Sequence, residues 1–197
     1  MPENNFAQYH AYLKGRSLTG YLYRRFFLYP QLTRHLHGKV LDIGCGIGDM
    51  LKFRRGTTGV DINPLNVEEC RKSGLEAHVM EVDVLPFEGG VFNGAVLDNV
   101  LEHIANPGPL LSEVWRVLSN NGVLICGVPG EKGYASDPDH KVFYDEEALI
   151  SLLHDAGFEK KHIFFMPWRS KLLNETMRQY CLYGVFGKAA KDISYPR

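Results

Sequence analysis

The segment Val40-Leu41-Asp42-Ile43-Gly44-Cys45-Gly46-Ile47-Gly48 runs an apolar strand into an acidic residue and three alternating glycines. Glycines so placed let the backbone turn sharply and approach a ligand without Cβ interference, and the helix that follows offers unpaired N–H groups at its start. This is the pattern of a turn that cradles a nucleotide, and its spacing sorts the possible ligands. A dinucleotide fingerprint needs Gly-x-Gly-x-x-Gly with the pyrophosphate over the helix start, but Asp49 stands where its third glycine belongs. An anion would meet a carboxylate there, and Asp42 adds a second. A ligand carrying an ammonium or sulfonium suits the turn better than a diphosphate. No Gly-Lys-Ser/Thr follows, which removes the phosphate-loop alternative. Cys45 reads as a small residue that fits the turn rather than as a nucleophile.

Four further motifs follow in order: Gly59-Val60-Asp61-Ile62-Asn63, Glu81-Val82-Asp83-Val84-Leu85-Pro86-Phe87, Leu97-Asp98-Asn99-Val100-Leu101-Glu102-His103 and Gly122-Val123-Leu124-Ile125. With the glycine turn they cover residues 38–130, and in this set the chain resembles the class I S-adenosylmethionine-dependent methyltransferases, within them the type 11 group. The resemblance implies S-adenosylmethionine as cofactor, with S-adenosylhomocysteine as product. It implies a donor site made by Asp42, Gly44, Cys45 and Gly46 of the turn, Asp61 on the ribose hydroxyls and Ile62 against the adenine face. Asp83 would take the adenine amino group, the Val84 backbone N–H a ring nitrogen, and the Asn99 backbone the methionine portion. Asp61 would equally suit a nicotinamide dinucleotide, and a lone Asp is more often a turn or cap residue. It is the joint register with the glycine turn that favours the donor reading. The Asn99 side chain could instead cap the next helix, and His103, with Glu102, reads as a support of the pocket.

The elements that must position these residues alternate from Lys39 onward: strands at 40–43, 57–61, 76–80, 93–98 and 122–128, helices near 48–54, 64–73 and 107–118. Such alternation predicts an α/β fold with helices on both faces of a parallel sheet. The resemblance makes this a doubly wound, seven-stranded, mostly parallel Rossmann-like sheet whose last strand is antiparallel. A helix over 145–156 has Asp145 as cap, Glu146 and Glu147 at its positive end and Gly157 as its stop. Strand 162–166, a helical insertion over 168–179 and a last strand over 181–186 complete the domain, with a loose tail over 188–197. Residues 6–36 read as one or two helices broken near Gly15 to Gly20 and at Pro30. The expected organisation is an N-terminal helical lid over 1–37 and one S-adenosylmethionine-binding domain over 38–197.

The 197 residues, 45% of them hydrophobic, suffice for one domain with a buried core. No apolar run approaches membrane-spanning length and the start lacks a signal peptide, so the expected location is cytoplasmic. The four cysteines are scattered, without Cys-x-x-Cys, and indicate neither disulfide framework nor zinc knuckle. His35-x-His37 lacks a third ligand, and no metal site is expected. Net charge is −1 but uneven: residues 1–38 carry +4, residues 39–157 carry −10 and residues 158–197 carry +5. For any single Lys or Arg a solvated surface is the simpler reading. Taken together, Arg16, Arg24, Arg25, Arg169, Lys171 and Arg178 could rim an acceptor pocket for an anionic substrate, with Tyr9, Tyr12 and Tyr23 closing over the donor.

Methyl transfer from a sulfonium is an in-line displacement with a neutral leaving group, so positioning is the main task and can supply roughly 7–11 kcal/mol. An acceptor hydroxyl also benefits from a base, by a factor of about 100 to 10,000. The candidate is His140, in the loop Tyr134 to Tyr144 after the fifth parallel strand; folding of that loop is its alternative role. The expected acceptor is a small molecule or glycan-type precursor, with oxygen favoured. A nucleic-acid methyltransferase is the first rival, but Asp98-Asn99-Val100-Leu101 is not the Asn/Asp-Pro-Pro-Tyr/Phe pattern used on a flipped base. A non-catalytic cofactor-binding regulator is the second. Oligomeric state stays open between monomer and dimer.

Overall fold

The computed structural model describes residues 3–189. Helices α1 (Glu3–Lys14), α2 (Leu18–Tyr23) and α3 (Tyr29–Thr33) precede strand β1 (Val40–Ile43). Then come α4 (Asp49–Phe53), β2 (Thr57–Asp61), α5 (Pro64–Lys72), β3 (Ala77–Val79) and β4 (Phe92–Asp98). A 3₁₀ turn (Leu101–His103), α6 (Gly108–Val117), β5 (Leu118–Pro129), α7 (Glu131–Tyr134) and α8 (Glu146–Asp155) follow. Strand β6 (Phe158–Met166), α9 (Lys171–Thr176) and β7 (Cys181–Lys188) end the described chain. The seven strands form one sheet in the order β3-β2-β1-β4-β5-β7-β6. All neighbours are parallel except β7, which runs antiparallel to both β5 and β6. The expected fold class is the observed one. Strand order reverses between β1 and β4, and in open α/β sheets ligands bind beyond the carboxyl ends of the strands at that reversal.

Strand periodicity builds the core. Leu41 and Ile43 of β1, Ala95 and Leu97 of β4, and Leu124, Cys126 and Val128 of β5 face one side. There they meet Leu110, Leu111, Val114 and Val117 of α6 and Leu149 and Leu153 of α8. The alternate residues Val40, Val96, Val123 and Ile125 face the other side, against Leu28, Tyr29, Leu32 and Leu36. The end of the N-terminal segment is therefore core, filling one face of the sheet. Its first helix lies elsewhere: α1 is tied to α5 through His10 Nδ1 and Asn66 Oδ1 at 2.9 Å, Lys14 and Glu69 at 3.2 Å, and Asn63 Nδ2 to the Phe6 carbonyl at 2.9 Å.

Among the boundaries that differ from the sequence expectation, four have a clear physical cause. The chain breaks at residues 15–17 but not at Pro30, because a π-helical turn (Arg24–Leu28) joins α2 to α3. The Tyr29 N–H reaches back to the Arg24 carbonyl, and Pro30 falls in the first turn of α3, where its missing N–H is tolerated. Strand β5 begins at Leu118, four residues early, because Leu118 pairs with Phe92 across a bulge. Strand β6 begins at Phe158, since Glu159 and Lys160 pair with β7 on an exposed sheet edge where charge is tolerated. Lys188, expected in the tail, closes β7, its Nζ 2.6 Å from the Leu118 carbonyl and its ammonium over the Trp115 ring. The remainder of that tail, residues 190–197, lies outside the described residues.

Leu111→Ala, at a fully buried α6 position, is expected to cost about 2–5 kcal/mol in urea unfolding. Leu172→Ala, at a site 67% exposed, should change stability by no more than about 0.5 kcal/mol.

Candidate active site

The glycine turn is shaped by residues on two strands. After β1 the chain enters positive φ at Gly44 (75°), Gly46 (52°) and Gly48 (79°). A Cβ on Gly44 would lie 2.7 Å from Val100 Cγ2, and one on Gly46 3.1 Å from Leu13 Cδ1. The Gly44 and Cys45 N–H groups donate to the Val60 carbonyl at 2.8 and 3.0 Å. Asp61, at the end of β2, accepts from the Gly46 N–H at 2.8 Å, from the Asn63 N–H at 2.7 Å and from Asn66 Nδ2 at 3.3 Å. Burial raises its carboxyl above the ordinary range even against those three donors.

Two cavities meet above the strand ends. The first, about 590 Å³, is lined by Asp61, Ile62, Met80, Val82, Asp83, Val100 and Ile104. The second, about 500 Å³, is lined by Asp42, Cys45, Gly46, Asp49, Asp98, Glu102, His140 and Arg178. Gly44, Asn99, His103, Asp137, Tyr9 and Tyr12 belong to both walls. Of the residues singled out in the sequence, Asp61, Ile62 and Asp83 therefore share one chamber, and Asp42, Cys45, Gly46 and His140 the other. Gly44 and Asn99 stand at the junction. Asp83 and Asn99 are the two non-glycine residues with positive φ among the described residues, at 62° and 57°, a conformation that concentrates at ligand sites.

Val84 is not brought to the wall. Its N–H is used in a turn, 3.2 Å from the Glu81 carbonyl, and Val82 takes the place at the cavity. The Asn99 side chain caps no helix: its Nδ2 donates to Asp98 Oδ1 at 2.9 Å, and its Oδ1 faces the Cys181 thiol at 3.7 Å. Of the six basic residues expected at the rim, Arg16, Arg24 and Arg178 line the second chamber. Arg25 does not. Arg169 turns to Glu146 at 2.5 Å and lies over the Phe165 ring, and Lys171 faces Glu175. Arg16 and Arg24 approach Asp49 at 3.6 and 3.9 Å, so the carboxylate in the place of the third dinucleotide glycine has guanidinium neighbours. Tyr9, Tyr12 and Tyr23 all reach cavity walls.

The floor of the second chamber is acidic. Asp42 is buried, and burial followed by Asp98 pushes its carboxyl well above the usual range. Tyr183 donates to Asp98 Oδ1 at 2.7 Å. A cation placed there relieves like-charge repulsion, whereas a diphosphate adds to it.

Sequence reasoning placed Glu102 and His103 on one motif and His140 on another; the fold joins them. The loop carrying His140 is pinned to the 3₁₀ turn by Lys141 and Val142 N–H groups on the Glu102 carbonyl, at 2.6 and 3.2 Å. The two imidazoles lie 4.7 Å apart, and Tyr134 stacks on His140. His140 Nδ1 donates to the Tyr134 carbonyl at 2.9 Å, leaving Nε2 facing Glu102 at 3.9 Å. Glu102 is 1% exposed, and neither of its oxygens has a hydrogen-bond partner among the described residues. Burial pushes its carboxyl up to about 8. Burial, then His140, lowers His103. The only sequence signal for this cluster is the acidic-histidine pair Glu102-His103 itself; nothing local announces that His140 joins it.

A family model described as a methyltransferase domain matches residues 41–126. An uncharacterised Methanocaldococcus jannaschii protein, MJ1123, is 29% identical over 140 residues, covering 65% of this chain and 68% of its own length. The chain spans between 33% and 59% of four further curated relatives. Among solved structures, a chain in the complex between the Haloferax volcanii Trm112 methyltransferase activator and a methyltransferase superposes with a TM-score of 0.77 at 16% identity. That match covers 96% of this chain and 98% of the other. The Burkholderia thailandensis 1,6-didemethyltoxoflavin-N1-methyltransferase, solved with bound 1,6-didemethyltoxoflavin and S-adenosylhomocysteine, gives a TM-score of 0.69 at 20% identity over 95% of this chain and 87% of the other. At these identities the structural matches establish the fold.

The raised carboxyl of Glu102 makes a pH prediction. Its neutral form contributes stability that is complete below about 4.5 and is lost as pH rises through about 8. In chelator-treated protein, Glu102→Gln should match wild type near pH 5 and exceed it near pH 9, by an amount on the order of a few kcal/mol. Denaturation curves whose difference is the same at both pH values contradict this.

Proposed function

We propose that the chain is a class I S-adenosylmethionine-dependent methyltransferase, a reading supported by the methyltransferase-domain match over residues 41–126, and that it transfers the donor methyl group to an oxygen of a small, anionic acceptor. The observation that carries this reading is the pair of cavities joined at Gly44, Asn99 and His103. The adenosine lies in the chamber of Asp61, Ile62 and Asp83. The free lone pair of Asp61 meets a ribose hydroxyl, Ile62 and Met80 pack the adenine, and Asp83 accepts from its amino group. The methionine portion passes Gly44 and Asn99 into the second chamber, where the sulfonium is held over Asp42 and Asp98. Helix α1, carrying Tyr9 and Tyr12 to both walls and fixed to α5, acts as the lid.

The acceptor occupies the rest of the second chamber. Arg178 and Arg16 face its anionic group, and the Tyr23 hydroxyl, without a hydrogen-bond partner among the described residues, offers a further hydrogen bond. Its reacting oxygen meets Glu102, His103 and His140, where its proton is removed. The new O–C bond forms as the C–S bond breaks, the electron pair of that bond goes to sulfur, and S-adenosylhomocysteine leaves. A glycan-type or other anionic metabolite fits a chamber of this size better than nucleic acid does, because Arg16, Arg24 and Arg178 lie on the cavity wall.

Thermal unfolding with S-adenosylhomocysteine at a hundred times its dissociation constant should show about 2.7 kcal/mol of added stability, abolished in Asp61→Ala. Retention of the full effect in that variant removes the donor assignment. His140→Ala should lower kcat by a factor of about 100 to 10,000 while donor stabilisation persists, and unchanged turnover excludes His140 from the chemistry. KM for the acceptor should rise with ionic strength while donor affinity holds; equal insensitivity of both argues against an anionic acceptor.

A further inference from the structure

Glu102, His103 and His140 are drawn from two loops, and one ligand-type atom from each lies within 4.8 Å of the other two. The Tyr134 carbonyl can only accept, so His140 carries its proton on Nδ1 and presents Nε2 as a lone pair toward Glu102. This is the arrangement by which metal-binding imidazoles are usually fixed, with the second ring nitrogen donating to a backbone carbonyl. His103 Nδ1 is buried without a hydrogen-bond partner among the described residues. Glu102 supplies the strongest sign. A carboxylate 1% exposed with neither oxygen hydrogen-bonded among the described residues is costly, and here it lines a cavity alongside two imidazoles.

We propose that Glu102, His103 and His140 form a three-ligand site for a divalent transition ion of the zinc class, with its open coordination position facing the second chamber. Two nitrogens and one carboxylate oxygen suit that class, whereas magnesium favours an all-oxygen shell. A tetrahedral ion with bonds of about 2.0–2.1 Å holds its ligands about 3.4 Å apart. The 3.9 Å between His140 Nε2 and Glu102 Oε1 needs only small side-chain rotations to reach this. Two further acidic groups are close: Asp98 shares the chamber, whose wall also carries Arg16, Arg24 and Arg178, and Asp137 Oδ2 lies 4.0 Å from His140 Nε2. Both favour a cation.

This deepens the functional reading and rests on it only for what the ion does. An acceptor hydroxyl on the open position is polarised and gives its proton to bulk water more readily, so that the oxygen attacks the methyl carbon as sulfur takes the C–S electron pair. His140 is then a ligand, and acceptor deprotonation belongs to the coordinated oxygen.

The test is titration of the chelator-stripped full chain with Co2+, Zn2+ and Mg2+, followed by calorimetry and, for Co2+, by visible ligand-field absorption. One equivalent of Co2+ should bind with a low-symmetry absorption band, Zn2+ should displace it, and Mg2+ should not compete. His140→Ala and Glu102→Gln should each weaken Co2+ binding about tenfold or more, with His35→Ala unchanged as a control for surface imidazoles. Folding of each variant is checked by its stabilisation with S-adenosylhomocysteine. Absence of stoichiometric Co2+ and Zn2+ binding in protein that still responds to S-adenosylhomocysteine overturns the site, as does binding undiminished in both variants. Metal binding intact in a protein without response to S-adenosylhomocysteine overturns the donor reading instead and leaves the ion site standing.

Discussion

The grip of Asp61 on the Gly46 N–H holds the site together. One carboxylate at the end of β2 bonds the apex of the glycine turn after β1, the backbone of Asn63 and the side chain of Asn66. Two strand ends, the first turn of α5 and, through His10 on Asn66, the N-terminal helix are thereby fixed to one buried group. Charge-assisted bonds of this kind are about twice as strong as neutral ones, and the buried setting makes an alternative geometry costly. The shape of both chambers follows from this anchor, because it decides where Gly44 and Gly46 present their backbone.

The electrostatics of the region follow a consistent pattern. Asp42, Asp98 and Glu102 line one chamber with little compensating charge on their own elements, and burial raises both Asp42 and Glu102. Such a cluster is destabilising in isolation and is relieved by cations. In the proposed function one cation is the sulfonium of the donor; the inferred metal is the second. Arg16 and Arg24, drawn toward Asp49 from the N-terminal helices, couple the placement of those helices to the same acidic floor. The molecule thus draws its N-terminal segment, donor and inferred ion toward one region of negative charge.

Much of this was legible in the sequence wherever the determining contacts are local or periodic. The glycine turn, the Asp61 position, the strand alternation and the Asp145 cap, whose carboxylate accepts from the Ala148 N–H, depend on neighbours a few residues away. What escaped depends on distance along the chain or on the edge of the sheet. Strand β6 begins among charged residues because an outer strand tolerates them, and a π-helical turn lets the chain pass through Pro30. Val84 and Val82 differ only in which side of a tight turn they occupy, which no periodicity announces. The joining of Glu102 with His140 spans a strand, two helices and a loop, and depends on two backbone bonds to the Glu102 carbonyl.

The account is tested most directly by a crystal structure of the full chain grown with S-adenosylhomocysteine. It predicts the adenine between Ile62 and Met80, a ribose hydroxyl on Asp61, and the sulfur at the junction of the two chambers by Gly44 and Asn99, pointing toward His103 and His140. A nucleoside bound outside these chambers, or one whose sulfur faces away from the Glu102 cluster, would contradict it.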